Sequence, residues 1–245
     1  MVSKNQIKRI TSLQQKKFRN EHQLFIAEGV KVIQELLQSN FVLEQLLVTE
    51  NIFEEIDAKY RLLIHEQDMK RISALSTPSS CLAVFHIPES KPVVEAGLIV
   101  ALDAVRDPGN LGTIIRLCDW FGVKQLVCSK ETVDLYNPKV IQATMGSISR
   151  VNVVEVDLPS FIANTPLKVY GTFMDGANVY QQQLAQDAVI VLGNEANGIS
   201  KEIETCIKNK LAIPRFGDLQ QTESLNVATA TAIFLSEFRR SNMLG

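Results

Sequence analysis

The sequence predicts an α/β protein in two parts, a smaller N-terminal α/β domain followed by a larger domain built on a parallel sheet. Three observations lead there. From about residue 96 onward, short apolar runs recur with helical stretches between most of them, and unbroken apolar strands alternating with helices indicate a parallel sheet covered on both faces. Up to about residue 87 the chain also alternates helix-like and strand-like stretches, but on a smaller scale. Between the two, residues 87–93 place prolines on either side of a polar stretch, which is the best linker in the chain. The expected domains are therefore 1–90 and 96–245.

In the first part, Ile7, Ile10, Leu13 and Phe18 recur at near-helical spacing. Residues 28–39 make a stronger helix, with Val32, Ile33, Leu36 and Leu37 on one face. Strands are expected at 43–48, 62–64 and 82–85. In the second part the apolar runs at 98–102, 125–128, 151–156, 169–173, 189–192 and 210–213 read as strands, and 111–121, 138–145, 160–164, 201–208 and 224–240 as helices. The last helix carries small residues on nearly every side from 227 to 233, which would let another helix or a loop approach closely. Phe234 and Phe238 add a large apolar stripe at i, i+4.

The chain has 245 residues, 46% of them hydrophobic, enough for a sizeable core and too many for a disordered chain. No apolar run approaches the roughly 18 residues of a membrane span, and no apolar core follows the first charges, so no signal peptide is expected. Cys81, Cys118, Cys128 and Cys206 are far apart and lack metal-ligand spacing. Read as small core residues, they suit a reducing, cytoplasmic location, and no metal is expected. The formal net charge is −2, which alone argues weakly against a nucleic-acid partner. The distribution says more: residues 1–20 hold Lys4, Lys8, Arg9, Lys16, Lys17 and Arg19 and no acid. Such a basic segment is either a phosphate-binding surface or a solvated helix face.

Three segments carry candidate chemistry. In the first, a buried strand ends at Leu102, a turn rich in Asp, Pro and Gly follows, and a helix begins near Asn110, a residue type that also caps helices. Arg116 lies beside that helix's apolar side, where Arg is rarely found unless paired; with the helix N-terminus it could hold a phosphate or a ribose. In the second, the strand at 189–192 stops at Gly193, and Asn194, Glu195 and the Asn197-Gly198 turn follow. Glu195 stands either at a ligand crevice at the strand's end or as a cap for the helix near Ser200. In the third, a strand ends at Ile213 before Pro214, and a polar loop leads to Ser224, a good N-cap, Leu225 and Asn226. The turn at 107–112 lacks the G-x-G-x-x-G spacing, and no phosphate-loop Gly-Lys-Ser/Thr occurs, so an NAD enzyme or a nucleoside triphosphatase is disfavoured.

Asn110 with Arg116, the Leu-Gly-Asn-Glu-x-x-Gly run at 192–198, and Ile213-Pro214 with the Ser-Leu-Asn-Val run at 224–227 resemble, in order, the three motifs of the SpoU (TrmH-like) branch of SPOUT RNA 2′-O-ribose methyltransferases. Residues 10–19 and 25–30 resemble that family's substrate-binding domain, which is ribosomal-protein-like. The resemblance implies a C-terminal SPOUT trefoil-knot domain, S-adenosylmethionine as cofactor, and methylation of a ribose 2′-hydroxyl in structured RNA, ribosomal RNA favoured over transfer RNA. It implies catalytic roles for Arg116, Asn110, Glu195, Ser224 and Asn226. Cofactor contacts are expected from Gly193, Asn194, Ile213 and Leu225, with Met174 lining the same pocket. Lys8, Arg9, Lys16, Lys17 and Arg19 are the expected RNA contacts. A homodimer through the C-terminal domain is implied too. Two features depart from the family: the 217–224 loop is longer than usual, and Arg215 replaces the Met that often follows Ile-Pro. The competing expectation is a non-catalytic RNA-binding or ribosome-assembly factor on the same fold.

Overall fold

The computed structural model describes residues 2–217 and 224–243. The chain divides into two compact units, residues 1–90 with 134–149, and residues 91–133 with 150–245.

The first unit opens with α1 (Lys4–Ser12) and α2 (Lys16–His22). A capping box starts α1: the Ser3 hydroxyl accepts from the Gln6 amide and the Gln6 side chain accepts from the Ser3 amide. Gln23, at φ 52°, ends α2 in the left-handed region. Then follow β1 (Leu24–Glu28), α3 (Val30–Leu37), β2 (Leu43–Val48), β3 (Arg61–Leu63), α4 (Glu66–Ile72) and β4 (Cys81–His86). The sheet order is β1-β4-β2-β3, with β1 and β2 antiparallel to β4 and β3 parallel to β2. All five β1 residues are buried, because the period-two alternation sends Leu24 and Ile26 to one apolar cluster and Phe25 and Ala27 to the other. The helix expected at 28–39 starts later, since Glu28 closes β1 and Gly29 turns the chain at φ 93°.

The second unit begins with β5 (Leu98–Leu102), α5 (Pro108–Trp120) and β6 (Gln125–Cys128). The chain then returns to the first unit: residues 134–149, which carry α6 (Pro138–Thr144), pack there. Ile141 and Ile148 join the cluster around Phe25 and Phe85, and the Tyr136 and Phe25 ring centroids lie 4.9 Å apart. Gly146, at φ 94°, is pressed on Glu35, where a β-carbon would come within 2.4 Å of the Glu35 β-carbon. Arg19, buried to 2% exposure, donates from Nε to Asp134 at 3.0 Å and from a terminal nitrogen to the Leu13 carbonyl at 2.8 Å.

The rest of the second unit is β7 (Asn152–Glu155), α7 (Leu158–Asn164), β8 (Lys168–Asn178), β9 (Ala188–Leu192), α8 (Lys201–Cys206), β10 (Asn209–Ala212) and α9 (Val227–Met243). Its six strands are all parallel, in the order β10-β8-β9-β5-β6-β7. β5 and β9 are fully buried, as strands covered on both faces must be. β8 is longer than its apolar run implied. Its ladder with β10 jumps from Gly171 to Ala177, so residues 172–176 bulge out. Gly176 lets the β10 backbone pass, since a β-carbon there would lie 2.5 Å from the Leu211 carbonyl carbon.

The sheet fixes where a ligand can bind. The connection after β5 leads to β6 on one side, and that after β9 leads to β10 on the other. Adjacent strands that diverge in this way open a crevice at their carboxyl ends.

Candidate active site

Leu102 and Leu192 are paired at the ends of β5 and β9, and the loops that leave them are bound to each other. The Asp103 amide donates to the Leu192 carbonyl at 2.9 Å. The buried Asp103 carboxylate accepts from the Ser200 amide at 2.7 Å. The Asn194 side chain donates to the Ala104 carbonyl at 2.6 Å and accepts from the amides of Ala196 and Asn197. Gly193 is required by close approach: a β-carbon would lie 2.1 Å from the Gly198 carbonyl carbon.

Asn110 does not start α5. Asp107 is the cap, its carboxylate accepting from the Asn110 amide at 2.8 Å, with Pro108 in the first turn. The Asn110 side chain is thereby left for another role. Its Nδ2 donates to Glu195 Oε1 at 2.9 Å, and its Oδ1 accepts from Asn226 Nδ2 at 2.9 Å. Asn226 in turn caps α9, its Oδ1 accepting from the Ala228 and Thr229 amides at 3.0 and 3.2 Å. Ser224, expected as that cap, is exposed two residues upstream. The direction of this chain is fixed at both ends. An ionised carboxylate can only accept, which turns the Asn110 nitrogen toward Glu195. Helix amides can only donate, which turns the Asn226 oxygen toward α9.

Glu195 also faces the Arg106 and Asp107 amides at 3.4 Å, so it serves the turn before α5; no side-chain bond from it caps α8. Partial burial pushes its pKa up, but the bonds from Asn110 and from the backbone amides of Glu195, Arg106 and Asp107 outweigh that and hold it below the usual carboxylate range.

Arg116 is exposed on α5 and has no hydrogen-bond or ion-pair partner among the described residues. This corrects the expectation that its place beside apolar residues requires a partner. The geometry gathers Asn110, Glu195 and Asn226, and sets Gly193 and Asn194 beside them; Arg116 and Ser224 are not bonded to that chain. Met174 is 56% exposed on the β8 bulge and Leu225 is 48% exposed, while Ile213 is half-buried just past β10. The main-chain groups of Gly193, Ile213 and Leu225 take no hydrogen bond among the described residues. Most of the unusually long 217–224 loop, residues 218–223, lies outside the described residues.

Of the basic residues, Lys8, Lys16 and Lys17 are exposed. Arg9 is exposed and pairs with Glu44 at 3.1 Å. Arg19 cannot meet a phosphate as expected, because it is buried on Asp134. Two groups escaped the sequence reading: the Asp107 cap, legible as Asp before Pro at a helix start, and Asp103, an acid directly after a buried strand. Among the described residues no cluster of His, Cys, Asp and Glu could hold a metal ion, and no helix is long and apolar enough to cross a membrane.

Residues 97–236 match the family model of the SpoU rRNA Methylase family, more than half of the chain. The chain belongs to that family. Residues 4–83 match the MRM3-like substrate binding domain. Among relatives, the 23S rRNA (guanosine(2553)-2′-O)-methyltransferase RlmP of Bacillus subtilis is 32% identical, over 97% of each chain. A TrmH-family protein of known structure from Porphyromonas gingivalis is 39% identical with a TM-score of 0.87, covering 98% of this chain and 99% of its own. An AdoMet-bound rRNA methyltransferase from Sinorhizobium meliloti is 29% identical with a TM-score of 0.86, covering 98% of this chain and 97% of its own. The fold of this SpoU-family chain is accordingly the α/β SPOUT class read from its sequence, with an N-terminal substrate-binding domain.

Proposed function

We propose that this protein transfers a methyl group from S-adenosylmethionine to a ribose 2′-hydroxyl of ribosomal RNA. The observation that carries the reading is the Glu195–Asn110–Asn226 chain at the carboxyl ends of β5 and β9, with an unpartnered Arg116 on the same helix as Asn110. The RlmP and S. meliloti relatives support the substrate and the cofactor.

The cofactor fits the residues present. S-adenosylmethionine has a flat adenine edge and a polar amino-acid end, and the main-chain groups of Gly193, Ile213 and Leu225, unbonded among the described residues, offer neutral donors and acceptors for them. Asn194 would hold the Gly193 loop in shape, and Met174 would line the pocket. When bound, the cofactor supplies an electrophilic methyl on a sulfonium. The protein must then orient the hydroxyl and stabilise the negative charge that grows on its oxygen as its proton passes to an RNA phosphate or to water. A guanidinium stays protonated in proteins, so Arg116 acts as an electrostatic partner of that oxygen rather than as a base. Asn110, aimed by Glu195 and Asn226, orients the ribose or Arg116, and Ser224 shapes the site.

Residues 1–90, joined by 134–149, form the substrate-binding domain and the rest of 96–245 the methyl-transfer domain, and Lys8, Arg9, Lys16 and Lys17 attract RNA phosphates. The protein works in the cytoplasm as a homodimer through its C-terminal domain. Incubation with methyl-labelled S-adenosylmethionine and unmodified ribosomal RNA, followed by digestion to nucleosides, tests the reading. Label in a 2′-O-methylnucleoside is expected. Failure to bind the cofactor while still binding RNA would make the protein a non-catalytic binding factor.

A further inference from the structure

The face of α2 has a feature that phosphate attraction does not use. Phe18 and His22, one helical turn apart, hold their rings 14° from parallel with centroids 6.4 Å apart. His22 is exposed and has no hydrogen-bond or ion-pair partner among the described residues, while Phe18 is half-buried. Lys17 Nζ lies 5.8 Å from the Phe18 ring centroid, and Lys16, the preceding residue, is exposed. Arg19, on the adjoining face, anchors the helix on Asp134, so the platform is carried on a fixed element. Phe18 is half-buried, and packing makes no use of an aromatic ring at the exposed position 22.

We propose that Phe18 and His22 form a stacking platform for an unpaired nucleotide of the RNA, with Lys16 and Lys17 holding its phosphates. Stacked aromatic rings flanked by cations recognise single-stranded nucleic acid, because each base offers a π-face. A duplex hides those faces between neighbouring pairs. Lys8, Arg9, Lys16 and Lys17 supply attraction to either form, and the rings add preference for the single strand. Glu21, the one acid of α2, opposes phosphate at that end of the helix and leaves the base, not the backbone, as the partner of His22.

The proposal rests on the RNA-binding reading above, and its test separates the two. The full-length protein is titrated with a 12-nucleotide single-stranded RNA containing 2-aminopurine and with the 12-base-pair duplex of the same sequence. His22→Ala should weaken single-strand binding about tenfold, reduce the quenching of 2-aminopurine, and leave the duplex unchanged. His22→Phe, which keeps a ring without a charge, should retain wild-type binding, whereas His22→Lys should behave like His22→Ala. Replacing Lys16 and Lys17 by Glu should weaken both RNAs. If His22→Ala is silent, or lowers both RNAs equally, the platform is wrong while the RNA-binding reading stands. If His22→Lys restores binding, the position acts through charge and the platform is again wrong. If the wild type binds neither RNA, both readings fall.

Discussion

Asn226 serves two partners through two atoms, and two substitutions separate them. Asn226→Ala removes the cap of α9, which costs about 1 kcal/mol, and the bond to Asn110, worth about 1 kcal/mol. Asn226 is exposed and Asn110 half-buried, so the sum is about 1–2 kcal/mol. At about 2–4 °C per kcal/mol for a chain of this size, the Tm falls by roughly 2–8 °C. Asn226→Asp keeps an oxygen for the Ala228 and Thr229 amides, and its charge suits a helix N-terminus by about 0.3–1 kcal/mol. Its net effect on stability is therefore within about 1 kcal/mol of zero. The new carboxylate, however, meets the Asn110 oxygen acceptor to acceptor. Asn110 cannot flip in response, because that would turn the same oxygen on Glu195. Asn110 must swing away, and a misplacement of about 1 Å costs methyl transfer about 100-fold. Thermal unfolding and a transfer assay on both variants read the two effects separately. Asn226→Asp melting as low as Asn226→Ala while transferring methyl at the wild-type rate would refute the two-partner assignment.

Three further outcomes follow from the same contacts. The lowered pKa of Glu195 means that its ionised form stabilises the native state. That contribution is complete above the unfolded carboxyl value of about 4.3 and disappears as pH falls through the lower folded value. The Tm gap between wild type and Glu195→Gln should therefore hold steady from about pH 7 to 5 and shrink on further acidification; a gap that widens toward acid contradicts the bonding pattern. Gly193→Ala forces a β-carbon against the Gly198 backbone and should cost at least about 1–3 kcal/mol in urea unfolding. Gly198→Ala meets open space and carries only the left-handed φ penalty of about 1 kcal/mol, and the reverse ranking would show that the loop is not clamped. Arg19→Met leaves Asp134 without its buried partner and should lose about 3–5 kcal/mol by the same measurement; a loss under about 1 kcal/mol would return Arg19 to the surface role its composition suggested.

Patterns that depend on period and sequence-local chemistry were readable in the chain, and those that depend on a distant partner were not. Of the six runs of the second unit, β5 and β9 are buried on both faces, and the order of the runs along the chain is enough to read a parallel sheet. β1 escaped because four apolar residues followed by Glu28 look the same as the start of the next helix. The helix at α6 was evident, but a helical stretch does not say what it packs against; Ile141 and Ile148 pack with Phe25 and Phe85, far back in the chain but in the same unit. At the site, the family resemblance singled out Asn110, Glu195 and Asn226, while residue type alone gave Asn110 and Ser224 the capping duties that belong to Asp107 and Asn226. Two good caps within a few residues compete, and the backbone dihedrals decide between them. Arg19 belonged by composition to a basic surface, and only Asp134, 115 residues away, turns it inward.

The most direct test of the account is methyl transfer to ribosomal RNA by Arg116→Ala, measured beside its Tm and its affinity for S-adenosylmethionine. Arg116 is exposed and makes no hydrogen bond or ion pair among the described residues, so melting and cofactor affinity should match the wild type while transfer is abolished. Transfer at the wild-type rate by a folded, cofactor-binding Arg116→Ala protein would contradict the claim that this guanidinium stabilises the reacting oxygen.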